Sequence, residues 1–139
     1  MTATITHRTH RPLADSSESL LRFAMRVDAT LCAGLGLLVA FTADPLSRLS
    51  GLSPTSEWVI GAALVLYGAA LYVLAAAPAI RRIGVGIVVA NVVLAAAVVA
   101  VVVAGVLPLT GAGVVMTLAT AAATLGFAYA QYLGVRRLA

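Results

Sequence analysis

From Phe23 to Leu133 the chain is almost continuously apolar, and helix breakers cut that length into four stretches, each about the 20 residues needed to cross a bilayer. No other feature restricts the fold as far. Inside hydrocarbon each backbone N–H and C=O must be satisfied by the protein itself, so the stretches are expected as helices. Composition agrees, because 10% of residues are charged where a soluble chain carries about 25%, and the mean hydropathy is +1.06. The expected fold class is all-α, a polytopic membrane protein built as a four-helix transmembrane bundle.

The spans are read as Phe23 to Ala43, Trp58 to Ala77, Ile83 to Val106 and Thr110 to Leu133. Asp44-Pro45 ends the first, Pro78 with Arg81-Arg82 parts the second from the third, and Pro108 with Gly111 and Gly113 parts the third from the fourth. Residues 1–22, with His7, Arg8, His10, Arg11, Asp15 and Glu18, carry no separate apolar run and read as a short, mobile polar tail without a cleavable signal peptide.

The net charge of +4 does not point to nucleic acid. All nine basic residues are Arg, and they stand at the ends of apolar segments rather than clustered with aromatics. Arg8, Arg11, Arg22 and Arg26 precede or open the first span, Arg81 and Arg82 lie between the second and third, and Arg136 and Arg137 follow the fourth. Only Arg48 falls on the other side. Cytoplasmic flanks hold the excess of Lys and Arg, so both termini are expected in the cytoplasm.

The outer loop from Asp44 to Glu57 carries Leu46, Leu49 and Leu52 at helix-like spacing. Asp44 as cap with Pro45 at the first helical position predicts a short amphipathic helix on the membrane surface. Ser53-Pro54 repeats the start signal for the second span, with Glu57 in its first turn and Trp58 as an interfacial anchor. Tyr129 and Tyr132 are expected to anchor the inner end of the fourth span.

Asp28 is the one acid within a span. Counted back from Ala43 it lies about four residues, or about 6 Å, inside the cytoplasmic boundary. At about 100° per residue it points nearly opposite to Arg26, so its partners must come from other helices. Tyr72, Asn91 and Gln131 stand at similar depth and complete a candidate intramembrane polar site with it; Arg81 and Arg82 are the alternative partners. An intramembrane carboxylate is a functional candidate by default, and a structural role as interhelical glue competes with that reading.

In the fourth span Gly113, Thr117, Thr120, Thr124 and Gln131 form a polar stripe, and the opposite face carries Ala122, Gly126 and Ala130 at four-residue spacing, a candidate helix-packing interface. Gly61, Gly68 and Tyr72 share a face of the second span, as do Gly84, Asn91 and Ala95 of the third. Cys32 is the only cysteine, so it has no intrachain partner. There is no HExxH, GxSxG or phosphate loop, and no second intramembrane acid. His7 and His10 lack further ligands. No catalytic residue, metal or cofactor is expected.

Arg26-Val27-Asp28-Ala29, Asp44-Pro45-Leu46 with Leu49 and Gly51-Leu52-Ser53-Pro54, Asn91 with Leu94, and Gln131-Tyr132-Leu133-Gly134 before Arg136-Arg137 together resemble a group of small, uncharacterised four-span integral membrane proteins of bacteria. The resemblance implies the topology and a bacterial inner membrane, and no activity. Small multidrug exporters also have four short spans and an acid in the first, but their aromatic cage is not matched here. Two functions follow as expectations: a non-enzymatic accessory, assembly or interaction subunit meeting a membrane-protein partner or a second copy through the Ala122/Gly126/Ala130 ridge, or a small proton- or cation-coupled transporter using Asp28. The topology is checked by tagging either terminus and probing intact cells. Protection of both tags is expected, and accessibility of either from outside contradicts the orientation.

Overall fold

A computed structural model describes residues 12–138, with side chains from position 18 onward. His7, His10, Arg8 and Arg11 lie outside the described residues. The chain is all-helical there: α1 (Pro12–Phe41), α2 (Ala43–Ser50), α3 (Pro54–Leu74), α4 (Ile80–Ala104) and α5 (Gly111–Arg136). All except α2 are long and apolar enough to cross a membrane. Both chain segments expected as a tail and a span meet in one helix, because α1 already runs from Pro12 and Leu21 within it is fully buried. The packing of Leu21 explains this: a Cβ on Gly84 of α4 or on Gly134 of α5 would lie 2.8–2.9 Å from it. The last residues of the polar segment are thus held to the bundle at Leu21.

The short helix expected in the outer loop is α2. It starts at Ala43 with Thr42 in the capping position, rather than at Asp44, and only Thr42 separates it from α1. The Thr42 hydroxyl donates to Leu38 O at 2.7 Å, back into α1, so it does not cap α2. Pro45 sits in the first turn, where a missing N–H breaks no bond. Gly51 then ends α2 at φ +89°, in the left-handed region that favours glycine. Ser53 and Thr110 cap α3 and α5, accepting from Ser56 N at 3.1 Å and Gly113 N at 3.0 Å.

α1 is the central helix. Its face of Ala29, Ala33, Gly36 and Ala40 lies against Gly61 and Gly68 of α3 so closely that a Cβ on Gly36 or Gly61 would come within 2.6 Å of the facing backbone, and one on Gly68 within 2.6 Å of Ala29 O. In lipid there is no hydrophobic drive between helices, so close van der Waals approach through small residues takes that part. Large apolar side chains such as Leu38, Phe41, Leu66, Val73 and Val103 point outward, and most of the buried apolar positions are alanine. An exception is the arginine-rich end, where Leu21, Met25, Leu71 and Ile80 form a buried cluster with Ala29 and Ala75. α4 pairs with α5, and both close on the other side of α1.

Each end of the bundle is tied by polar contacts. At the arginine-rich end Arg22 donates to Ala75 O at 2.7 Å and Ala77 O at 3.0 Å, placing its charge at the C-terminus of α3 where the helix dipole is negative. At the opposite end Thr110 N donates to Ser50 O at 2.9 Å, the Thr110 hydroxyl donates to Leu49 O, and the Ser50 hydroxyl donates to the buried Glu57. Glu57 therefore serves α2 as well as the first turn of α3.

Replacing Gly68 by leucine is expected to destabilise the fold by about 1–3 kcal/mol or more, because the added side chain meets backbone. Gly34, where a Cβ meets nothing within 4 Å, is expected to accept alanine without loss. Thermal unfolding in detergent distinguishes the two, and equal midpoints for both variants contradict the packing.

Candidate functional site

Asp28 is 3% exposed, Asn91 1% and Gln131 0%. These values matter because a carboxylate removed from water needs donors, and the chain around it supplies them from neighbouring helices. On α1, residues about 100° apart face two ways: Ala29 and Ala33 toward α3, and Asp28 with Leu21 toward α4 and α5. The small seam and the polar site therefore share one helix without competing.

Gln131 Nε2 donates to Asp28 Oδ2 at 2.7 Å, and Asn91 Nδ2 approaches the same oxygen at 3.4 Å. Asn91 Nδ2 also donates to Gln131 Oε1 at 3.1 Å, and Tyr67 OH donates to Asn91 Oδ1 at 2.6 Å. The Cys32 thiol, one turn along α1, reaches Asp28 Oδ1 at 3.3 Å. One connected network thus takes Asp28 and Cys32 from α1, Tyr67 from α3, Asn91 from α4 and Gln131 from α5. Among the described residues no buried side-chain nitrogen or oxygen lacks a partner. The Asn and Gln amides are matched head to tail, each giving from nitrogen and accepting at oxygen or passing the bond on to the acid.

Three of the four residues expected here, Asp28, Asn91 and Gln131, meet. Tyr72 does not: it is 53% exposed, and its ring lies 5.9 Å from the Arg26 guanidinium on the outer side of the α1–α3 seam. The reason is geometric. A helix packed through its glycines has two flanks, and Tyr72 stands on the flank away from α4 and α5 while Tyr67 stands on the other. Tyr67 and Cys32 were not foreseen as members. The signal for Cys32 was its i,i+4 spacing from Asp28, and for Tyr67 the polar tip of an aromatic at matching depth.

The alternative partners Arg81 and Arg82 are exposed and make no ion pair, the only ion pair among the described residues being Arg22 with Glu18 at 3.5 Å. The acid is therefore met by neutral donors alone. Hydroxyls of the α5 stripe turn to their own helix: Thr117 donates to Gly113 O, Thr120 to Met116 O and Thr124 to Thr120 O at 2.8–3.0 Å. Gly113 and Gln131 of the stripe do lie on the inward face of α5, where Ala121, Ala128 and Gly134 join them in place of the threonines. Ala122 and Gly126 are exposed and Ala130 is half-buried, and a Cβ on Gly126 would meet nothing within 4 Å. That ridge is not used in packing this chain. No group of three or more potential metal-ligating His, Cys, Asp or Glu occurs among the described residues.

The chain matches no protein-family model, no curated protein and no solved structure.

A double-mutant cycle tests the coupling. Gln131→Leu is expected to cost more than the average interhelical hydrogen bond of about 0.6 kcal/mol, since it strips the shortest bond from a buried carboxylate. In an Asp28→Leu background the same change is expected to cost less, since only the bond from Asn91 to Gln131 is then lost. Equal costs in the two backgrounds, measured by unfolding in mixed micelles, contradict a shared network.

Proposed function

We propose that the protein is a non-enzymatic interaction or assembly subunit of a bacterial cytoplasmic membrane, with both termini in the cytoplasm. The observation that carries this reading is the closure of the Asp28 network: each of its polar atoms is occupied by another part of the same chain. A polar cluster of that kind fixes the relative register of four helices. It leaves the outward surface for binding.

On that surface the Ala122/Gly126/Ala130 ridge offers a partner helix, or a second copy of this chain, close backbone approach. Its small residues are not spent inside the bundle. The arginine distribution supports the orientation, and the resemblance to small four-span bacterial proteins supports the compartment.

A second reading rests on one specific observation, the absence of a cation beside Asp28 among the described residues. A carboxylate without a fixed counter-charge is the arrangement a proton- or cation-coupled carrier needs. The two readings separate experimentally. For the interaction subunit, Gly126→Leu abolishes crosslinked association in membranes while insertion and unfolding midpoint stay as in the wild type, and Asp28→Asn leaves association intact. Association indifferent to Gly126→Leu, together with proteoliposome flux lost in Asp28→Asn, overturns the interaction reading in favour of the carrier.

A further inference from the structure

A groove of about 500 Å³ runs along the outer side of the α1–α3 seam, away from the polar network. Its floor is Ala29 and Ala33 of α1 with Gly68 and Ala69 of α3, and Tyr72 forms one wall. Thr30 also lines it, but its hydroxyl is committed to Arg26 O at 2.8 Å. The interior is therefore apolar in effect and faces the hydrocarbon.

One turn toward the arginine-rich end stands Arg26. Its guanidinium is exposed and lies 5.9 Å from the Tyr72 ring, which holds it at the rim of the groove rather than out along the surface. No carboxylate among the described residues lies within 4.0 Å of it, since the ion pair formed there belongs to Arg22 and Glu18. Arg22 is also occupied by two carbonyls of the α3 terminus, whereas the planar donor fork of Arg26 is open to a phosphate oxygen pair.

We infer that this is a binding site for an anionic glycerophospholipid, its phosphodiester on Arg26 and one acyl chain in the groove over Ala29, Ala33, Gly68 and Ala69. The charge at the rim and the apolar channel below it match the two ends of such a lipid in the order in which a bilayer presents them. A partner helix would fill the channel equally well but would have to bring its own acid to the level of Arg26. This site goes beyond the proposed interaction role and is independent of it, because it lies on α1 and α3 rather than on the α5 ridge.

The test is native mass spectrometry of the full chain released from detergent with dioleoylphosphatidylglycerol or dioleoylphosphatidylcholine. The wild type is expected to retain the anionic lipid in preference. Arg26→Gln weakens it about fivefold, the effect of one basic group at a membrane surface, and weakens phosphatidylcholine less, because the choline cation of that lipid offsets its phosphodiester charge. Ala69→Phe, which fills the groove from an exposed position, lowers retention of both, and Arg48→Gln at the other end alters neither. Equal retention of the two lipids by the wild type overturns the inference without recourse to any variant. So does an undiminished preference in Arg26→Gln, or competition by inorganic phosphate as effective as by the lipid. A crosslinker placed by Ala69→Cys that joins a second protein rather than lipid in native membranes also overturns it.

Discussion

The carboxylate of Asp28 imposes the condition that the rest of this bundle meets. An acid carried into hydrocarbon costs about 2.5–3.5 kcal/mol at a helix centre, and a helix alone cannot answer it with its own backbone. Here the answer comes from Gln131 and Asn91 on two other helices, with Tyr67 on a third fixing the Asn91 amide. Removing any one of these leaves the others short of a partner. The network therefore selects one arrangement of α1, α3, α4 and α5 over others that would bury similar apolar area.

Such selection requires the helices to come near enough, and that is the contribution of the small residues. Ala29, Ala33, Gly36 and Ala40 let α3 approach along the second half of α1, while Leu21 between Gly84 and Gly134 draws α4 and α5 in at the arginine-rich end. The polar ties at each end act on the same helices. Arg22 closes the α3 terminus, and Ser50 joins α2 both to Glu57 of α3 and to the start of α5. Specificity thus comes from a few directional contacts placed where apolar packing cannot discriminate.

How far this was legible in the residues differs from element to element. Four apolar runs, the breakers between them and the caps at Ser53 and Thr110 are local signals, and the helices follow them within a turn or so except at the start of α1. Asp28, Asn91 and Gln131 could be grouped because polar side chains at like depth in an apolar chain have few places to go. Tyr67 against Tyr72 could not be decided. Both are aromatics with a hydroxyl beside the same glycine face, and which flank turns inward depends on where α4 and α5 lie. Arg22 looked like a topology marker and is in addition a cap for α3, a contact across 53 residues of sequence. The α1 seam carried a signal in its spacing of Ala29, Ala33, Gly36 and Ala40, matched by Gly61 and Gly68, that is visible once α1 and α3 are known to be neighbours.

The Asp28 network is closed within the bundle. Cys32, the only cysteine, donates to the same carboxylate and reports on water reaching that site. A charged, water-soluble maleimide applied to both sides of intact membranes reacts only where water and a thiolate meet. The closed network predicts no labelling of Cys32 until the protein is unfolded in dodecyl sulfate, while an Arg137→Cys variant, at an exposed position, labels readily. Labelling of Cys32 in the intact membrane at a rate near that of the control would contradict the closed network and place a water-filled path at Asp28.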